Sequence, residues 1–355
     1  VKLRFLTFIY IFSLVSNAQS VRKYSNEFLN IGVNANALAM GKAVVSNVND
    51  VTAGYWNPAG LTQLEDSEIS LMHASYFANI AQYDYIGFAK PIDKNATIGF
   101  SLLRFGVDDI LDTTELIDSE GNIDYNRIKL FSAADYAFLF SYARRPLMKD
   151  FSWGINAKIV HRRIGKFATS IGFGFDAGLQ YQNENWSYGV MLRDITTTYN
   201  SWTINDEEFK KIQNAIPNQN QELPETTELT IPKMQLGLGK KWEITRDIAL
   251  QSNLDLNVRF TETNDLIHTS FAGIEPALGL EANYLEMIYV RVGLNNIQHT
   301  LEFDNTQSLS LQPNIGVGFE YNGIHIDYAL TNIASVGNAL YSNIFSLKID
   351  FESFR

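Results

Sequence analysis

The chain has 355 residues, 46% hydrophobic and 13% aromatic, with 23 glycines, a formal charge of −11 and no cysteine. The missing cysteine excludes disulfides, thiolate metal sites and lipid attachment through sulfur, and the acidic balance argues against nucleic acid or a polybasic membrane-surface mode. No run of about 18 uncharged apolar residues follows residue 20, so a helical membrane span is excluded too.

The chain opens Val1-Lys2-Leu3-Arg4, continues with the apolar run Phe5–Val15, and reaches small residues at Ser16-Asn17-Ala18. That order predicts a secretory leader over 1–18, cut after Ala18. Residues 19–67 do not alternate. Within them Ala35–Gly41 predicts a short helix ended by Gly41, and Trp56-Asn57-Pro58-Ala59-Gly60-Leu61 a second short turn with Pro58 in its first turn.

From residue 68 to 355 one unit repeats: a run of roughly 9–15 residues apolar at every second position, then a turn. The pattern predicts about 14 strands, near 68–76, 82–90, 96–106, 130–145, 151–164, 168–182, 186–196, 230–243, 247–261, 269–283, 286–296, 311–321, 323–331 and 342–351. In Ile248–Phe260 one face carries Ile248, Leu250, Leu254, Leu256, Val258 and Phe260, and the other Gln251, Asn253, Asp255, Asn257 and Arg259. Successive side chains of a strand point to opposite faces. With no helices to cover so many apolar faces, they are expected to meet lipid, as in an all-β transmembrane antiparallel barrel.

Connections sort by length. One side has tight turns, including Asn322-Gly323, a pair suited to a type I′ hairpin. The other has the longer, polar stretches 107–129, 197–229, 262–268, 297–310 and 332–341. Long loops on one side and tight turns on the other describe an outer-membrane barrel, with the tight turns periplasmic. The inward face then carries Lys158, Arg162, Asp176, Arg193, Asp255, Arg259, Arg291 and Asp327, which must pair or meet water. A barrel this wide is not filled by its own side chains, and 19–67 is the expected plug.

Catalytic chemistry is not legible. His73, His161, His268, His299 and His325 are scattered without metal-ligand spacing, and no nucleophile elbow or phosphate loop follows a strand. Asp118–Asp124 lacks the closing Glu and flanking helices of a calcium loop and reads as a solvated acidic turn. Asp206–Lys211 reads as a solvated surface helix. No enzyme, cofactor or metal is expected. Loop 197–229 holds Tyr199, Trp202, Ile204 and Phe209 in a polar setting, the composition of a partner-contact surface.

The block Gly32–Ala43, with Met40 and Gly41, followed by Trp56-Asn57-Pro58-Ala59-Gly60, resembles the opening of the PorV/PorQ family, within the wider FadL-like outer-membrane transporters. Trp153–Lys158, Gly174–Leu179, Val290–Gly293 and Ile326–Leu330 resemble it more weakly, so the likeness covers nearly the whole mature chain. Glu27–Ile31 and the Gly-Leu ending of the Asn-Pro-Ala block depart from the family pattern, which suits a paralogue.

The resemblance implies a 14-stranded barrel with an N-terminal plug in the bacterial outer membrane. It implies a role as accessory or shuttle in type IX secretion, binding the translocon and the C-terminal signal domain of secreted proteins. The FadL-type alternative is a transporter of hydrophobic small molecules. It predicts a lipid or detergent ligand in a pocket between plug and wall, and a gap or kink in the wall at Pro232 or Pro276.

Overall fold

The computed structural model describes residues 25–77, 79–117, 120–146, 150–215, 226–301, 306–332 and 342–351. The expected leader lies outside them. In chain order the strands are β1 (Glu68–Tyr76), β2 (Ala81–Asp93), β3 (Ala96–Asp112), β4 (Lys129–Arg144), β5 (Phe151–Ile164), β6 (Ala168–Asn183), β7 (Trp186–Arg193), β8 (Thr198–Ile204), β9 (Thr227–Thr230), β10 (Lys233–Glu243), β11 (Ile248–Arg259), β12 (Ile267–His268), β13 (Gly273–Tyr284), β14 (Ile288–Leu301), β15 (Gln307–Tyr321), β16 (Ile324–Thr331) and β17 (Ser342–Asp350).

They make a closed antiparallel barrel of 14 positions. β17 returns to pair with β1, Glu68 opposite Asp350 and His73 opposite Phe345. β7 and β8 together fill the seventh position, both pairing with β6, and β9 and β10 fill the eighth. The expected run 186–196 therefore ends at Arg193, and β8, after a break at 194–197, occupies the start of the loop expected from 197, which begins only after Ile204. Elsewhere the alternation reads through to the observed strands with shifts of a few residues at their ends. At the β15–β16 hairpin Asn322 and Gly323 have φ of 49° and 74°, the two positive angles a type I′ turn needs.

The outer wall is apolar around the ring. Ile171, Phe173 and Phe345 are 63%, 61% and 56% exposed, on the same strands whose opposite faces bury Ser170, Asp176 and Ser346. A solvated wall would invert that arrangement, so the outer face meets hydrocarbon.

Inside the ring lies the segment 25–65. It contains a 3₁₀ turn (Glu27–Asn30), a helix (Ala35–Ala39), a one-turn helix (Ala53–Trp56) and a second 3₁₀ turn (Pro58–Gln63). Asn34 caps the first helix by accepting from the Asn36 N–H, and Asn57 accepts from the Ala59 N–H ahead of Pro58, which can sit in a first turn because no N–H is needed there. Val33, Ala35, Ala39, Val44, Tyr55, Trp56 and Leu61 are buried in one cluster with Tyr83, Tyr85, Leu103 and Leu139 of the wall.

Backbone meets backbone where the wall has glycine. A Cβ on Gly293 would collide with the Gly41 N–H, and one on Gly154 would lie 2.5 Å from the Pro58 carbonyl carbon. Gly41 itself has φ +64° and presses on Leu278 and Leu294, so only glycine suits that point.

Candidate functional site

The inner segment divides the lumen. On the long-loop side a cavity of about 520 Å³ is lined by Phe28, Ile31 and Leu38 from the segment and by Tyr76, Phe77 and Phe105 from the wall. Asn26, Asp135, Arg162, Asn295, Asn314 and Thr331 supply its polar edge. A second cavity of about 350 Å³ adjoins it, sharing Glu27, Ile31, Lys42, Asn295 and Gln312, and reaches Lys233, Arg259, Glu275 and Asn296. Lys42 stands where they meet, its Nζ donating to the Asn30 carbonyl at 3.0 Å. Burial lowers its pKa, helped by Arg259 and opposed by Glu275. No carboxylate among the described residues lies within ion-pair distance of it.

On the tight-turn side a cavity of about 500 Å³ has a different lining: Asn36, Asn47, Gln182, Asn185, Gln251 and Asn283, with Glu281, Glu320, His325 and Lys348. There Asp50 faces Lys348 at 3.4 Å and accepts from Thr52. Burial alone would raise the Asp50 pKa, but the Lys348 ammonium and the Thr52 hydrogen bonds outweigh it and hold the carboxyl below its ordinary value.

Six of the eight expected inward charges fall into four ion-paired groups, and Arg193 and Asp255 stand outside them. Lys158 bridges Asp176 at 2.9 Å and Asp194 at 2.6 Å, all three buried. Arg162 joins Asp135 and Glu228 and lies 5.0 Å over the Trp202 ring, while Arg193 donates to Gln235 and covers Tyr55 at 4.7 Å. Arg291 joins Glu281 and Asp327. Arg259 joins Asp265 and Glu275 at 2.7 and 2.8 Å. Asp255 has no ion-pair partner among the described residues and accepts instead from the Val44 and Val45 N–H groups at 3.0 Å. It therefore fastens the inner segment to β11.

The motif of the inner segment is structural at each position. Trp56 Nε1 donates to the Val33 carbonyl, and Asn57 Nδ2 to those of Val45 and Leu179. Met40 caps the first helix ahead of Gly41. Pro58, Ala59 and Gly60 form the 3₁₀ turn, and a Cβ on Gly60 would run into the Val48 carbonyl. The four aromatic and aliphatic residues expected in a long loop divide differently: Tyr199, Trp202 and Ile204 belong to β8, with Trp202 turned inward onto Arg162, and only Phe209 lies beyond it, on the helix Asp206–Ala215.

Beside the register shifts at Pro91/Asp93 and Val107/Ile110, the wall is irregular next to Pro232 and next to Pro276. Between β7 and β8, Asp194–Thr197 bulge opposite Ile231-Pro232, with Asp194 and Thr197 at φ 56° and 60°. Asp194 is there bound to Lys158, and its N–H donates to Asp176. The second lies between β13 and β14, which pair only from Leu278/Leu294 to Tyr284/Ile288. Pro276 lacks the N–H to extend that ladder. The stretch 264–268 fills the gap: Ile267 and His268 pair with Ile274 and Gly273, the Leu266 N–H donates to the Ile297 carbonyl, and the His299 N–H to that of Asn264. This strap is pinned by Arg259 through Asp265, and Glu275 accepts from the Asn296 N–H. Glu275 and Asn296 also line the smaller outer cavity.

The aromatic chamber was the least visible part of the sequence. Its signal is Tyr76, Phe77 and Phe105 at the long-loop ends of β1 and β3, beside Phe28 and Ile31 of the inner segment. Among the described residues no group of His, Asp and Glu is placed to hold a metal.

No family model and no curated protein matches the chain. Solved structures do. The CymD monoaromatic hydrocarbon channel is 11% identical with a TM-score of 0.56, over 90% of this chain and 98% of that one. The Pseudomonas putida toluene transporter TodX is 12% identical with a TM-score of 0.54, over 90% and 99%. A Pseudomonas aeruginosa FadL homologue is 11% identical with a TM-score of 0.53, over 90% and 98%. The fold is that of the FadL-like outer-membrane barrels. At such identity the likeness is one of architecture, and with the apolar outer wall and charged interior it places the chain in the bacterial outer membrane.

Proposed function

We propose that the chain conducts small hydrophobic molecules from the outside into the outer membrane. The observation that carries this reading is the aromatic chamber of about 520 Å³ above an inner segment fastened to the wall on several sides. Phe28, Tyr76 and Phe105 offer a small apolar solute the burial that drives its transfer from water, and Lys42 offers a polar contact at one edge.

A solute in that chamber cannot proceed along the axis while the inner segment stays in place. The way out is sideways, at the β13–β14 seam, where a loop strap rather than a ring strand completes the wall. The outward side chains there, Ile267, Ile274 and Pro276, are apolar, so the opened seam would face hydrocarbon. The hydrocarbon and toluene transport named for CymD and TodX supports the same reading.

The test uses the absence of cysteine. Leu266→Cys with Ile297→Cys ties the strap to β14. In reconstituted vesicles the oxidised pair should lose uptake of an aromatic probe by about tenfold or more while still binding it, and reductant should restore uptake. Unchanged uptake in the oxidised protein rejects the seam; absence of probe binding rejects the chamber.

A second reading has its own support. The β3–β4 connection bears Ile117, Ile123 and Tyr125, all strongly exposed, and apolar residues on a long loop suit a protein partner. This favours the accessory or shuttle role in type IX secretion, with the translocon or a secreted signal domain as partner. Co-purification of either in mild detergent, abolished by Ile117→Ser with Ile123→Ser, tests it.

A further inference from the structure

On the outside of the barrel, near its tight-turn end, an ammonium is held between two indoles. Lys240 on β10 lies opposite Trp186 on β7 and Ser252 on β11. Its Nζ is 4.5 Å from the Trp186 ring centre and 3.8 Å from that of Trp242. Both rings are themselves fixed. Trp186 stacks on Tyr188 at 6.5 Å and 22°, and Trp242 Nε1 donates to Ser252 Oγ at 3.1 Å.

The indole faces orient the cation without neutralising it. No carboxylate among the described residues lies within ion-pair distance of Lys240. Long cationic side chains on a barrel's outer face reach for the level where hydrocarbon gives way to water. One step toward the middle of the wall, the neighbouring outward positions are Leu238 and Leu254, directly opposite one another. The arrangement offers a fixed positive charge at the boundary with an apolar lane running from it into the hydrocarbon.

From these contacts we infer that Lys240, Trp186 and Trp242 form a site for the phosphodiester headgroup of a glycerophospholipid in the leaflet at the tight-turn end, its acyl chains lying along Leu238 and Leu254. A free anion would find the charge but not the lane. Lys90, an exposed outward lysine on β2 near the same end, has no ring over it among the described residues, and so separates a built site from general positive charge. The inference is independent of the transport reading.

The measurement is native mass spectrometry of the full-length protein released from detergent, with phosphatidylglycerol or chain-matched diacylglycerol added. The unaltered protein should retain the phospholipid about tenfold more strongly than the neutral lipid. Lys240→Gln should remove that preference, Lys240→Arg should keep it, and Lys90→Gln should leave it unchanged. Full preference in Lys240→Gln, equal loss in Lys90→Gln, or complete displacement of the lipid by inorganic phosphate would each overturn the site. Heat-modifiable gel mobility, read on every variant, confirms that the barrels compared are folded.

Discussion

The two ends of the lumen are nearly equal in volume, about 520 and 500 Å³, yet they are different solvents. The outer one is walled by Phe28, Leu38, Tyr76 and Phe105, the inner one by carboxamides and ion pairs. Both are bounded by the same short segment, which presents Phe28, Ile31 and Leu38 to the long-loop side and, among its residues at the tight-turn mouth, Asn36, Asn47 and Asp50. The difference teaches that the divider is also the selector. An apolar solute is stabilised above it and has little to gain below it.

One of the two largest effects should come from removing the divider's seat. Gly293→Val forces a side chain into the Gly41 backbone, an overpacking that costs about 3 kcal/mol where nothing can yield. The folded, heat-modifiable form should then unfold at distinctly lower urea. A variant as stable as the original would mean that the two ends are not separated by a fixed wall.

Next is Lys158→Met. It strands Asp176 and Asp194 in a buried setting and should cost about 3–5 kcal/mol, read by the same titration. Adding Asp176→Leu should recover part of the loss, since a buried charge without its partner is the source of the cost.

A matched pair of truncations separates the two ends most directly. Phe105→Ala removes a ring from the outer chamber and should weaken binding of an aromatic probe by about tenfold, in line with roughly 1.5–3 kcal/mol for burying such a side chain. Asn283→Ala, at the other end, should leave that affinity alone. Equal effects of the two would mean that the probe does not distinguish the ends.

The smallest effect is a pH dependence at Asp50. Its carboxyl is held below the ordinary value of 3.8 by Lys348 and Thr52, so its stabilisation is complete above that value and is lost as pH falls through the depressed one. Asp50→Asn should flatten this acid limb of the unfolding curve. Near neutral pH it should be less stable than the original, because Lys348 loses a partner.

Much of this was legible because a barrel wall is local. Period-two alternation fixed which face of Ile171–Tyr181 meets lipid, and Asn322-Gly323 fixed its own turn. What could not be read were events needing two distant stretches. Nothing in Asp194–Thr197 announces a bulge until Ile231-Pro232 is set beside it, and the strap at 264–268 looks like a loop until Pro276 leaves a place for it. Trp202 reads as a loop aromatic until Arg162 comes under it. The inner segment is the sharper case. Its Asn-Pro turn was visible, but Phe28 and Ile31 acquire meaning only when Tyr76 and Phe105 close the other side.

The strap also bears on the geometry of the cylinder. Where Ile267 and His268 stand between β13 and β14, the wall carries the width of one more strand, about 4.8 Å, than it does at the tight turns. That part of the wall is therefore one strand wider on the long-loop side of the seam than on the tight-turn side, and the added width is supplied by a few residues of loop.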